Sequence, residues 1–188
     1  MYFPLLLLST LLSTAVAIPV SNAVVKSDVF KLHVTDNSDL LRWALINSKP
    51  SKGFPKQALV ELQRPASYVS IDSYLLGSKK QINEGRAQLR FMIKGASYGM
   101  VIFKSAPGEV SKVALVKGQG SARFGLGLNN KLRAHGDNNA NVWYACPVNV
   151  KGTLINPNFV LFYGGTNADE YNLPNDDCEH IGLLASFS

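Results

Sequence analysis

Three histidines, His33, His135 and His180, are the first residues to test for chemistry. Imidazole titrates near neutrality and serves as general acid or base. None of the three lies in a local motif: there is no His-Glu-x-x-His and no Walker loop. A ribonuclease needs a base, an acid and cations around a phosphate. His33, Glu61 and His135, with neighbouring arginines, are the residues of the right types, but their spacing does not select them. A glycosidase needs two carboxylates about 5–10 Å apart across a sugar. Asp169, Glu170, Asp176, Asp177 and Glu179 cluster, but in a Gly-, Asn- and Pro-rich stretch with the composition of a solvated connector. The Asp-x-Asp-x-Asp-Gly spacing of a calcium loop is absent, so no metal is expected there. Gly118-Gln119-Gly120 and Gly125-Leu126-Gly127 lack the strand-then-helix setting of phosphate-binding glycines and read as turn and strand-edge residues. No catalytic residue and no cofactor follow from these patterns. The expectation is a non-enzyme, with a secreted hydrolase as the rival.

Aromatic rings offer a different chemistry, stacking on the apolar face of a sugar. Trp43, Trp143 and Tyr144 are the leading candidates, with Tyr68, Tyr74, Tyr98 and Tyr163 behind them. Core packing is the competing use. Trp143 and Tyr144 are adjacent on a β pattern and so point to opposite faces, which leaves at most one of them naturally exposed.

The elements that would position these side chains are strands. Asp28 to Val34 alternates, with Phe30, Leu32 and Val34 on one face and Val29, Lys31 and His33 on the other. Further strand patterns run over Ala58–Leu62, Tyr68–Leu76, Ala87–Lys94, Gly99–Lys104, Lys112–Lys117, Ala122–Leu128, Leu132–Ala134, Val142–Ala145, Phe159–Tyr163 and Glu179–Phe187. Leu40–Ile46 suits a strand or a short helix, residues 50–56 a loop, residues 105–108 a turn and Asn129-Asn130-Lys131 a tight turn. Short strands at this spacing predict an all-β single domain, a sandwich or barrel, with a β-trefoil as second choice.

Residues 1–17 read as a secretory leader: an apolar run from Leu5 and Ala15-Val16-Ala17 in small-x-small form, too short for a permanent anchor. Cleavage before Ile18 would leave an all-β secreted domain over 18–188, extracellular or in a cell wall, with no transmembrane segment. In an oxidising compartment the isolated pair Cys146 and Cys178 is most simply one disulfide. The alternatives are two buried thiols or, less readily, a metal site, for which the spacing fits no zinc pattern. No Asn-x-Ser/Thr sequon occurs.

Charge is unevenly spread. Residues 18–133 hold 18 basic and 7 acidic side chains, a difference of +11; residues 134–188 hold 1 and 6, a difference of −5, which together give the net +6. Such a basic body suits a polyanion, such as phosphorylated wall glycan or nucleic acid, or an acidic partner, or a plain solvated surface. No run of four or more basic residues occurs, so a nuclear signal or a basic tail is not supported; nucleic acid is not the expected partner.

The C-terminal third carries a resemblance. Phe124-Gly125-Leu126-Gly127-Leu128 through Leu132, then Trp143-Tyr144-Ala145-Cys146-Pro147-Val148, then Asp176-Asp177-Cys178-Glu179-His180-Ile181 and its apolar strand, is similar to the small secreted cell-wall proteins of fungi. Those include phialide-type wall proteins of moulds and wall mannoproteins of yeasts. The similarity covers residues 122–187, with an echo at 28–46. It implies a wall-associated or secreted structural protein with one disulfide, and it transfers no active site. The expected partner is wall polysaccharide or phosphomannan. Pro147 is expected to end its strand by removing a donor, and the disulfide to fasten the last strand beside Val142–Ala145 or across two sheets.

Overall fold

Apolar residues at every second position build the strands and select their inward faces. In the computed structural model, residues 23–36, 44–47, 57–63, 71–103, 109–135, 142–148, 158–164, 173–174 and 176–187 are described, with backbone alone for 44–47, 57–63, 148 and 158. In chain order the elements are β1 (Val24–Lys26), β2 (Phe30–Thr35), β3 (Ala44–Asn47), β4 (Gln57–Gln63), β5 (Ser73–Ser78), α1 (Lys79–Asn83), β6 (Ala87–Ile93), β7 (Ala96–Ile102), β8 (Ser111–Lys117), β9 (Ala122–Leu126), β10 (Leu132–Ala134), β11 (Val142–Val148), β12 (Asn158–Gly164) and β13 (Glu179–Phe187). Phe30, Leu32 and Val34 of β2 are buried while Lys31, His33 and Thr35 are half-exposed. In β13, Ile181, Leu183 and Ala185 point inward.

The strands close. The cycle β5–β2–β13–β11–β12–β8–β7–β6 returns to β5, giving an eight-stranded antiparallel barrel. This decides among the expected all-β architectures: a barrel, neither a sandwich nor a trefoil. Strands β3 and β4 extend the sheet between β2 and the β8–β12 pair. The β9–β10 hairpin pairs with β6, and Lys131 bridges to Leu184 of β13. It turns inward Phe124, Leu132 and Ala134, and the Tyr163 hydroxyl donates to the Ala134 carbonyl at 2.8 Å. Asn129 and Asn130 have φ of 57° and 58°, the left-handed conformation asparagine tolerates, and make the expected tight turn.

An eight-stranded barrel is just wide enough for side chains to fill. Trp143, Phe30, Phe91, Phe124, Leu89 and Met100 are all inside and none is more than 1 % exposed. Among the described residues the interior is therefore a packed core. One outer strand region is also covered: Val142, Tyr144 and Cys146 of β11 pack with Val110, Phe162, Leu173 and Cys178 in a second cluster.

Two local expectations change. Tyr68–Leu76 is not one strand: β5 starts at Ser73, residues 68–70 lie outside the described residues, and α1 follows directly. A capping box starts α1, with Ser78 Oγ accepting from the Gln81 amide at 3.2 Å and Gln81 Oε1 accepting from the Ser78 amide at 2.8 Å. Pro147 does not end its strand, because β11 runs on to Val148 along β12. Its ladder with β13 stops at Ala145, so proline sits where β11 is paired on one side only. The loop 50–56 and the turn 105–108 lie outside the described residues.

Gly99 of β7 is required by a close approach. A Cβ there would meet the Gln119 carbonyl oxygen at 1.7 Å, where Gly118–Ser121 crosses the sheet. That atom is backbone and cannot rotate away. Gly99→Ala is expected to lower stability by about 2–3 kcal/mol, read as a lower urea midpoint with an unchanged slope. An unchanged midpoint would contradict the crossing.

Candidate functional site

Among the described residues, an outer concavity lies beside α1. Ser78, Lys80, Gln81, Glu84, Arg86 and Ala122 line an open space of about 480 Å³. Local sequence places it: the capping box starts α1, and Gly85, at φ +69°, ends it in the left-handed region. Gly85 then passes against Gly125 of β9, where a Cβ would lie 2.4 Å from the Gly85 Cα. This crossing holds α1 against the β9–β10 hairpin.

The lining is cationic with one acid. Glu84 pairs with Lys80 at 3.9 Å and with Arg86. Both cations are largely exposed, and such surface pairs contribute little to stability. They remain available to a ligand. Beyond the Gly85–Gly125 crossing, the His135 imidazole lies against Gly85. His135 and Arg123 are tied together: the His135 amide donates to the Arg123 carbonyl, and Arg123 Nε donates to the His135 carbonyl, each at 2.7 Å. His135, tied to Arg123, thus lies against Gly85, the residue before Arg86, beside the concavity that Lys80 and Arg86 line. Such a surface can hold an anionic polymer by charge. The Ser78 hydroxyl is engaged by the helix cap, accepting from the Gln81 amide.

The described core begins and ends where a known domain does. A family described as a domain of unknown function (DUF7907) matches residues 30–187, from the first residue of β2 to the last of β13. The chain belongs to the DUF7907 family. No curated protein and no solved structure matches it.

The DUF7907 barrel keeps the histidines apart. His33 faces Leu184 across β2–β13, and Leu184 faces Lys131, four residues before His135. Two strand spacings and four residues along a strand separate His33 from His135 by about 16 Å. That is far beyond hydrogen-bond reach, so the expected acid–base pair is not assembled. Glu61 lies on β4, two strands from His33 through Ala44 of β3. Burial, and then the Lys31 ammonium, hold the His33 imidazole below its ordinary value of 6.5. His180 is exposed on β13, its ring 6.2 Å from that of Tyr144.

The stacking expectation is corrected for two of its three residues. Trp143 is 1 % exposed, edge-on to Tyr163 at 5.1 Å in the barrel core, and Tyr144 is 2 % exposed in the outer cluster. Opposite faces of β11 are both covered, so neither ring presents a face to a sugar. Trp43, Tyr68, Asp169 and Glu170 lie outside the described residues. Asp176 and Asp177 are exposed, and among the described residues no group of three or more His, Cys, Asp or Glu side chains could hold a metal ion. Cys146 and Cys178 form the disulfide. Among the described residues no helix is long and apolar enough to cross a membrane.

Sequence reasoning did not single out Lys80, Arg86 or Arg123 within the basic body. The Ser78-x-x-Gln81 cap was the available signal for the helix that carries Lys80.

Proposed function

We propose that this DUF7907 domain is an exported, non-catalytic fungal protein that associates with acidic cell-wall polysaccharide of the phosphomannan type. The observation that carries the reading is the division of labour in the barrel. Its interior, among the described residues, is filled, while Lys80 and Arg86 line an outer concavity and His135, tied to Arg123, lies against Gly85 beside it. The leader-like residues 1–17 and the disulfide support export, since such bonds persist in oxidising compartments. The resemblance of residues 122–187 to fungal wall proteins supports the location.

Charge attachment predicts salt sensitivity. At about 1 M salt the screening length falls to about 3 Å, and most of the protein bound to isolated walls should elute. Replacing Lys80 and Arg86 together by glutamate should cut low-salt retention by about tenfold, the effect of about 1.4 kcal/mol. Retention indifferent both to salt and to this charge reversal would refute electrostatic attachment.

A further inference from the structure

Arg90 is the one charged side chain buried among the described residues, at 8 % exposed. It belongs to β6, whose neighbouring residues Leu89 and Phe91 enter the core. In register it lies between Tyr74 of β5 and Gly99 of β7, the glycine crossed by Gly118–Ser121. Its guanidinium is poorly satisfied. Nη1 reaches Gln88 Oε1 at 3.5 Å, the outer limit of a hydrogen bond, and Nε is enclosed with no partner. The ion pairs among the described residues are Lys80–Glu84, Arg86–Glu84 and Lys131–Asp36; Arg90 is in none of them. Asp72, just before β5, is exposed and is not paired with it.

A second cation stands nearby. Lys26 of β1 places Nζ 4.0 Å from the centroid of the Tyr74 ring, and it too has no carboxylate partner among those pairs. The Tyr74 hydroxyl lies 3.1 Å from Ser97 Oγ of β7. Each hydroxyl can bond further. Lys26, Tyr74, Arg90 and Ser97 therefore come from four successive strands, β1, β5, β6 and β7, and bring two cations and two hydroxyls with no acid paired to them.

A buried guanidinium without a counter-charge is costly unless something compensates it. Arginine's planar fork of donors matches an oxyanion through two parallel bonds. We propose that this face is an oxyanion subsite, taking a tetrahedral phosphate-type group, free or esterified to a sugar. Arg90 grips the anion, Lys26 neutralises its second charge, and of the Tyr74–Ser97 hydroxyl pair the one whose proton is not spent on the other donates to a remaining oxygen. The exposed remainder of Arg90 is the point of entry. This subsite does not depend on the wall reading, because α1 and the hairpin end contribute nothing to it.

The test follows the arginine Nε–H resonances of the folded, isotope-labelled protein during titration. The probes are inorganic phosphate, mannose 6-phosphate, neutral mannose and chloride at matched ionic strength. The Arg90 resonance, identified by its loss in Arg90→Lys, should shift saturably with a phosphate probe and not with mannose or chloride. Lys26→Ala should weaken the apparent affinity by about tenfold, the loss of one charge-assisted contact. Arg90→Lys should abolish binding. Response to the ester as well as to phosphate would assign a sugar phosphate as an acceptable source; response to phosphate alone would assign the free ion. An Arg90 resonance that ignores both, or that chloride moves equally, would overturn the proposal, as would full affinity in Lys26→Ala. If Arg90→Lys does not fold, the Arg90 Nε–H is assigned instead by through-bond correlation to its own backbone, and the native titration and Lys26→Ala still decide. A failure here leaves the wall-elution result standing, because that experiment reads the α1 end.

Discussion

Trp143→Ala is expected to cost about 3–5 kcal/mol, the range for emptying the site of a large buried aromatic. A domain of this size has only about 5–15 kcal/mol in total, so the variant should unfold at a fraction of the native urea midpoint. The magnitude follows from position. Trp143 is among the largest side chains in the barrel interior, edge-on to Tyr163, on a strand paired on both sides to β12 and β13. The surrounding strands are held by closure of the barrel and cannot collapse into the void. Trp143→Phe should be much milder. The indole Nε1 is buried with no hydrogen-bond partner, and an enclosed unsatisfied donor costs about 1–3 kcal/mol. Phenylalanine removes that donor as well as some volume, so the two changes partly offset. The folded Trp143→Phe protein should be retained by isolated walls as the native protein is. A folded Phe variant that loses retention would show that the ring does meet ligand, against its placement in the core.

The same residue shows what a sequence can and cannot carry. Alternation over Phe30–Val34 and Ile181–Ala185 is a local property of each strand, and the structure uses both with the expected faces inward. The Asn129–Asn130 turn is legible because asparagine tolerates positive φ. Because a strand has two faces, Trp143 and Tyr144 allow at most one naturally exposed ring. The structure covers both faces, and the outer cover comes from Val110, Phe162, Leu173 and Cys178, distant in sequence. Barrel closure is equally non-local: the β5–β2 and β12–β8 pairings join strands distant in sequence and help distinguish a barrel from a sandwich of similar strands. α1 is short and follows an apolar β run without a break, so periodicity hides it and only its cap marks it. The surface sites were least legible. Net basicity is visible in composition, but which cations share a face is decided by the order of strands.

The disulfide yields the other large effect, and the register explains it. β11 and β13 pair Trp143 with Ile181, Tyr144 with His180 and Ala145 with Glu179. The next pair in that antiparallel series is Cys146 with Cys178, and these are the residues joined. The bond therefore continues the ladder by one covalent rung, fastening the last strand beside β11 rather than across the barrel. It closes a loop with a sequence separation of 32, for which the chain-entropy account gives about 3–4 kcal/mol. Cys146→Ala, Cys178→Ala and the double variant should each lose about that amount in urea unfolding, because each breaks the same bond. The double variant should be no worse than the singles, the non-additivity of two groups acting as one. Cys146 is the more buried of the two, so its truncation should exceed the other by no more than about 1 kcal/mol. The barrel itself should persist, since the β11–β12 and β13–β2 ladders do not depend on the bond. Loosening should begin where Leu173 and Cys178 cover Tyr144, and faster amide exchange at Cys178 and Glu179 than in β12 should report it. Additive losses in the double variant, or a large difference between the singles, would mean that the sulfurs contribute separately and that the rung is not what holds β13 to β11 at this end.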